Sequence, residues 1–157
     1  MTDSKRVFIS GIGMISPLGL DAQSTWGELI QGNSGVDLIT AFDTDGFDTR
    51  FAAQVKGFDP EHYLDRKLVR RMDRFAQFAV VAAKEACNHA GIQIDQEDPY
   101  RMGVIIGSGI GGIITLSEQY EVLNERGPKR VTPFLIPMML GDMASAQVSM
   151  VTGAMGA

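Results

Sequence analysis

Residues 65–91, DRKLVRRMDRFAQFAVVAAKEACNHAG, limit the fold more than any other part of this sequence. Asp65 can cap the start of a helix, and Gly91 can end one. Between them, small or aromatic side chains recur at helical spacing on one face: Phe75, Phe78, Ala79, Ala82, Ala83, Ala86 and Ala90. A face rich in alanine lets another backbone approach closely. We therefore predict one long helix that packs against a sheet or another helix.

Shorter elements flank this helix in the sequence. Apolar runs predict two strands and a hairpin, and capping and stop residues predict three further helices. The strands are residues 7–10 and 101–106, the hairpin joins residues 36–39 to 51–55, and the helices span residues 21–31, 111–126 and 137–152. In the helix over residues 21–31, we expect the side chain of Trp26 to be buried. Strands that alternate with helices indicate the α/β fold class.

The composition is that of a single globular domain over residues 1–157, with 45% hydrophobic and 21% charged residues. A net charge of −5 disfavours nucleic acid and anionic membranes as partners, unless a local basic patch acts on its own. The one cysteine, Cys87, excludes an internal disulfide and suits a reducing compartment, so we expect a cytoplasmic protein. We expect neither a signal peptide nor a transmembrane segment.

Residues 104–112, VIIGSGIGG, place glycines between a predicted strand and a predicted helix. The spacing of Gly107, Gly109 and Gly112 matches a dinucleotide-binding fingerprint, which also needs an acidic residue roughly 20 positions further on, after the next strand. Glu125 falls at a helix end instead, so nucleotide binding is the weakest interpretation. The glycines otherwise permit a sharp turn with close backbone approach, or they form the wall of an apolar pocket into which Ile110 projects.

Four cations, Lys67, Arg70, Arg71 and Arg74, fall at i, i+3, i+4 and i+7 of the predicted long helix. Positive charge near a helix N-terminus opposes the helix dipole, so helix stability alone does not favour this arrangement. Two interpretations remain open: a solvated face relieved by nearby aspartates, or a docking surface for an acidic partner.

The sequence offers no set of residues for nucleophilic or metal chemistry. Cys87 lies among alanines, where a free cysteine is usually a small buried hydrophobe. His89 lies two positions away, on a different helix face, and therefore does not pair with Cys87 as a base. His62 falls in a loop, and two isolated histidines make no metal site. We predict no catalytic residue and no metal ligand in these 157 residues.

Five ordered stretches carry a family resemblance. They are KRVFISGIGMISPLG, STWGELIQGNSGV, RKLVRRMD, GVIIGSGIGG and GPKRVTPFLIPMML, and together they resemble the N-terminal half of a β-ketoacyl-acyl-carrier-protein synthase, of the type II elongating kind in bacterial fatty-acid synthesis. The resemblance implies a thiolase-like fold and a homodimer, and we expect no cofactor. It also implies a decarboxylating Claisen condensation between an acyl-enzyme thioester and malonyl carried on acyl carrier protein.

The resemblance assigns roles to six residues. It implies that Lys67, Arg70 and Arg71 help to dock the acidic acyl carrier protein, whereas Arg74 is outside that motif. Ile110 matches a position that lines the acyl pocket and moves to admit longer chains. Phe134 and Leu135 match two successive aromatic positions at the dimer interface, where one subunit reaches the acyl channel of the other. Leucine at the second position leaves the acyl-chain-length preference open. Met138 and Met139 either line the wall of the acyl pocket or belong to the core.

In the family, the nucleophilic cysteine follows shortly after the position that matches Ala157, and two histidines and a lysine follow later. The resemblance therefore implies that the 157 residues alone are catalytically inactive and that the full-length protein is the enzyme. The alternative hypothesis is a non-catalytic, synthase-like protein that binds acyl carrier protein or a synthase subunit. The two hypotheses are distinguished by whether the chain is soluble and folded alone, because half of a thiolase-like fold should expose a large apolar patch.

Overall fold

A computed structural model describes residues 6–156, in which helices predominate. The elements are α1 (Ala22–Ile30), β1 (Val36–Leu38), β2 (Phe51–Ala53), α2 (Arg66–Val69), α3 (Arg74–His89), α4 (Ile113–Arg126), α5 (Leu135–Met139) and α6 (Met143–Thr152). Strands β1 and β2 pair antiparallel, with Val36 opposite Ala53 and Leu38 opposite Phe51, which confirms the predicted hairpin. Helices α1 and α4 also confirm their predictions to within two residues.

Helix α3 lies at the centre of the described structure and packs against α6. Its buried residues Ala76, Val80 and Val81 meet Val148 of α6 and the buried side chain of Met72. Removing these apolar surfaces from water stabilises the pair by about 25 cal/mol for each Å². Helix α6 in turn contacts α5, and α5 contacts α4.

The alanine face of α3 allows the close approach that its small side chains predicted, although the backbone that packs on it is an extended glycine segment and not a sheet or a helix. A side chain at Gly11 or Gly13 would overlap the backbone carbonyls of Ala86 and Ala82, so only glycine allows this close approach. Glu85 adds polar contacts, since its carboxylate accepts hydrogen bonds from the N–H of Met14 and the N–H of Ala22, both at 2.7 Å. One carboxylate thus attaches both the glycine segment and the start of α1 to α3.

The predicted long helix over residues 65–91 is wrong in its first third, because the chain forms two helices there. Helix α2 ends at Val69, and α3 begins at Arg74 with Asp73 as its N-cap. The predicted helix over residues 137–152 is divided in the same way into α5 and α6, with Gly141 between them. The backbone turns at Asp73, which caps α3, and at Gly141.

The two predicted strands, residues 7–10 and 101–106, are not strands in this structure. A strand needs a run of backbone hydrogen bonds to a neighbouring strand, and within residues 6–156 neither segment belongs to a sheet. The carbonyl of Met102 accepts a single such bond, from the N–H of Gly156 at 2.7 Å. Ile105 is 96% exposed, although Val104 and Ile106 on either side pack against the core around α3. Each segment is extended, with apolar side chains left uncovered.

The prediction that Trp26 is buried is also wrong. Its side chain is 62% exposed and lines an open apolar groove of about 630 Å³ with Leu29, Ile12 and Met14. The apolar face of α1 is therefore present as the sequence indicated, but no described element packs on it.

Candidate functional site

The turn between α2 and α3 is held by one buried carboxylate. Asp73 accepts a hydrogen bond from the N–H of Phe75, at 3.4 Å, and caps α3. Its second oxygen accepts from the N–H of Thr115 in the first turn of α4, at 2.7 Å. Both N–H groups belong to first turns of helices, which have no partner within their own helix. Asp73 therefore satisfies donors of two helices and fixes α3 and α4 relative to each other.

A buried amide fixes the other side of the same turn. The side-chain nitrogen of Gln77 donates to the carbonyl of Met72 at 3.0 Å and to the carbonyl of Val69 at 3.3 Å. Asp73 and Gln77 together hold the backbone of residues 69–73 from two sides. The backbone from which the side chains of this turn project is therefore fixed.

Three cations project from this region, and we call Lys67, Arg70 and Arg71 the basic turn. All three are exposed, and no carboxylate of residues 6–156 lies within 4.0 Å of their charged nitrogens. The adjacent Arg66 differs, because it pairs with Glu61 at 3.4 Å. Lys67 lies in the first turn of α2, and Arg70 and Arg71 directly precede the N-cap of α3. Each cation is therefore still near a helix N-terminus, so helix stability does not favour it.

Arg74 does not belong to the basic turn. Its guanidinium lies over the rings of Phe58 and Phe78, at 5.4 and 4.9 Å from their centroids, and donates to the carbonyl of Val55 at 3.3 Å. These contacts attach α3 to the segment after the hairpin. Arg74 is therefore a structural residue, and the four cations do not form one stripe.

The glycine segment before α4 makes a sharp turn with close backbone approach. Gly111 has a φ of +82°, and a side chain there would come within 2.5 Å of the Met139 carbonyl. The N–H of Gly112 donates to the same carbonyl at 2.9 Å. Nothing lies within 4 Å of a side chain built at Gly107 or Gly109, so the close packing comes from only one glycine of the fingerprint. The geometry is that of a turn seated against α5.

Ile110 projects from this turn. Phe134 and Leu135 lie at the start of α5, the helix against which the turn packs. The side chain of Ile110 is 76% exposed, Phe134 is the N-cap of α5, and Leu135 is half-buried. The structure thus places the three predicted pocket residues on adjoining elements. Their role in an acyl pocket stays a prediction.

Phe134 also contacts the basic turn, which the sequence did not indicate. The guanidinium carbon of Arg71 lies 5.0 Å from the centroid of the Phe134 ring, within the range of a cation–π interaction. A predicted docking residue is therefore in contact with a predicted pocket residue.

Sequence reasoning missed the role of Asp73, which it treated only as a charge near the cations. An aspartate directly before an apolar helical run is a common N-cap, and that signal was available in MDRFAQF. The contact with Thr115 was not available, because it joins positions 42 residues apart.

The cysteine and the histidines take the places of structural or surface residues. Cys87 is half-buried on α3. The Nδ1 atom of His89 lies 3.0 Å from the N–H of Ile12, and exposed His62 lies 3.6 Å from Asp59. Among residues 6–156, no three His, Cys, Asp or Glu side chains are grouped as a metal site requires. No helix in that range is long and apolar enough to cross a membrane.

Comparison with known proteins identifies similar sequences along almost the whole chain. The family described as β-ketoacyl synthase, N-terminal domain, matches residues 4–157. The 3-oxoacyl-[acyl-carrier-protein] synthase 2 of Staphylococcus aureus is 45% identical over 156 residues, which cover 99% of this chain and 38% of that protein. The synthase of the same name from Vibrio cholerae is 41% identical over 97% of this chain and 37% of its own length.

A solved structure gives the same result for the fold. The β-ketoacyl synthase of Burkholderia phymatum superposes with a TM-score of 0.80 at 29% identity, over 98% of this chain and 38% of that chain. This similarity confirms the predicted thiolase-like fold, of which the described residues correspond to the N-terminal portion. The chain spans less than two-fifths of the length of these relatives.

Proposed function

Because the chain belongs to the β-ketoacyl synthase family and matches its N-terminal domain, we propose that the full-length protein elongates fatty-acyl chains on acyl carrier protein. The observation that carries this proposal is 45% identity to a 3-oxoacyl-[acyl-carrier-protein] synthase 2 along 99% of the chain. The reaction is a decarboxylating Claisen condensation between an acyl-enzyme thioester and malonyl carried on acyl carrier protein.

The reaction consists of an acyl transfer followed by a condensation. A cysteine thiolate takes the acyl group from its carrier and releases the carrier thiol. The malonyl group then loses CO2, and the electron pair of the broken C–C bond forms an enolate that attacks the acyl thioester. The tetrahedral intermediate expels the cysteine thiolate and leaves a 3-oxoacyl chain, two carbons longer, on the carrier. From the family resemblance, we assign the nucleophile and its histidine partners to sequence beyond Ala157.

Within this chain, we assign carrier docking to the basic turn. Acyl carrier protein is acidic, and Lys67, Arg70 and Arg71 form an exposed cluster on an otherwise acidic protein. No carboxylate of the described residues lies within 4.0 Å of their charged nitrogens. Such a cluster orients an acidic partner and speeds the encounter, and both effects weaken as salt screens the charges.

We assign Ile110 to the acyl pocket, and we assign Phe134 and Leu135 to the acyl pocket and to the homodimer interface. The open space around Ile110 and the support of its turn by α5 agree with a side chain that moves while its backbone stays fixed. We further propose a cytoplasmic enzyme that needs no cofactor. The 157 residues alone are expected to be inactive.

The proposal is tested by incubating the full-length protein with acyl and malonyl carrier proteins and following CO2 release and product mass. We expect one CO2 for each 3-oxoacyl carrier formed, with reduced turnover at limiting carrier when Arg70 is replaced by alanine. Carrier binding without CO2 release would contradict the proposal and favour the non-catalytic, synthase-like alternative.

A further inference from the structure

Arg71 differs from the other two cations of the basic turn because an aromatic ring restrains it. Among the described residues, neither Lys67 nor Arg70 lies over an aromatic ring, whereas the Arg71 guanidinium lies 5.0 Å from the centre of the Phe134 ring. A guanidinium is planar and carries its N–H donors in that plane. It can therefore face a ring and still donate from its edges to a carboxylate.

Both partners of this contact are attached to the same rigid unit. The turn that carries Arg71 is fixed by Asp73, which accepts from the N–H of Thr115 in α4 at 2.7 Å. The segment that carries Phe134 is fixed to the same helix, because Gln119 of α4 accepts from the N–H of Thr132 at 2.8 Å. The hydroxyl of Thr132 in turn accepts from the N–H of Phe134 at 3.2 Å. Helix α4 therefore sets the position of both the cation and the ring.

We propose that Phe134 is a positioning residue for carrier docking, which holds the guanidinium of Arg71 so that its free N–H groups face an incoming carboxylate. This proposal rests on the proposed function, since it concerns the same docking surface. Its physical basis is preorganisation: a long side chain that is already restrained loses less conformational freedom when it binds. The ring thereby has a second role besides the pocket or dimer role that the resemblance implies.

The test is a double-mutant cycle on the full-length protein, with acyl carrier protein that bears no acyl chain as the probe. Without an acyl chain, the acyl pocket takes no part in binding, and fluorescence anisotropy at about 50 mM salt reports docking alone. We expect Phe134→Leu to weaken carrier binding about two- to fivefold, the size of an exposed cation–π contact. Phe134→Tyr, which keeps the ring, should bind as tightly as the wild type.

Replacing Phe134 in proteins that already lack one of the two arginines shows whether the loss of carrier binding depends on Arg71. In Arg71→Ala, replacing Phe134 by Leu should cause no further loss, whereas in the matched control Arg70→Ala the full two- to fivefold loss should remain. A loss that persists in Arg71→Ala would overturn the proposal, because the ring would then act through the subunit contact or the fold. Phe134→Met provides a second variant without an aromatic ring if the leucine protein does not fold.

Failure of the proposed function gives a different result. If Arg70→Ala and Arg71→Ala both bind the carrier like the wild type, the docking surface itself is wrong, and the positioning role falls with it. If both weaken binding and Phe134→Leu does not, only the positioning role is overturned.

Discussion

At the scale of single residues, Asp73 makes the contact that most shapes the site. Its side chain is buried, and its two oxygens accept from N–H groups in the first turns of two different helices. A carboxylate provides two acceptors in one rigid group. The position of the basic turn relative to α4 thus depends on one side chain.

Replacing Asp73 by alanine should lower the free energy of unfolding of the full-length protein by about 1–3 kcal/mol, because it leaves a buried N–H without an acceptor. The exposed cap Asp65, which accepts from the N–H of Lys67 at 2.7 Å, is the matched control. Asp65→Ala should cost less, since water can replace its contact. Chemical denaturation measures both variants, and equal losses would contradict the role given to Asp73.

Replacing Gly112 tests how closely the glycine turn packs against α5. A methyl group at this position would overlap the carbonyl of Met138, so Gly112→Ala should lower the free energy of unfolding by about 1–3 kcal/mol. Gly107→Ala, where the added methyl meets no described atom within 4 Å, should cause a smaller loss. Thermal unfolding of the two full-length variants compares them directly. A larger loss in Gly107→Ala would show that the fingerprint glycines act in another way.

At the scale of elements, helices were predictable where local signals decide them. Helix α1 begins after its cap Asp21 and ends before Gly32, as capping and stop residues indicated. The break at Asp73 was harder to predict, because the cations and apolar residues continue the helical spacing across it. Its cap contact with Phe75 is local, but its contact with α4 depends on a residue 42 positions away.

Helix α1 also gives a prediction about pH. The N–H of Ser24 donates to the Asp21 carboxylate at 2.6 Å, which lowers the pKa of Asp21 below its ordinary value. A lowered folded-state pKa means that this cap stabilises fully above about pH 5 and is lost as the pH falls through the folded-state pKa, below about 4. A carboxyl NMR titration of the full-length protein should place the midpoint of Asp21 below about 3.9.

Asp21→Asn is the control variant for the pH dependence of stability, because asparagine caps a helix equally well without a charge. Its stability should depend less on pH between about 5 and 3 than that of the wild type. A midpoint for Asp21 at or above the ordinary value, or identical acid profiles for the two proteins, would contradict the capping account.

At the scale of the whole molecule, the two apolar segments that were predicted to be strands lie uncovered. Ile105 is 96% exposed between two residues that pack against the core, and the segment at residues 7–10 is exposed throughout. Strand pairing depends on distant neighbours, so sequence patterns predicted the extended backbone but not the missing partners. The docking and pocket residues were located through family resemblance, whereas the Arg71–Phe134 contact became visible only in three dimensions.

We expect residues 7–10 and 101–106 to be covered in the full-length protein. Their backbone amides should then exchange hydrogen slowly, because paired and buried N–H groups are protected. Residues 43–48, in the exposed connection of the hairpin, should exchange fast and serve as the internal control. Hydrogen exchange followed by mass spectrometry measures all three segments in one sample. Fast exchange in all of them would show that the two extended segments stay uncovered.

The most direct test of the central claim is the mass of the full-length protein after incubation with an acyl carrier protein that bears a fatty-acyl chain. A condensing enzyme forms an acyl thioester before malonyl is added, so peptide mapping should locate one acyl group on a cysteine beyond Ala157. Cys87, half-buried on α3, should stay unmodified. An acyl group on Cys87, or none on any cysteine, would contradict the account.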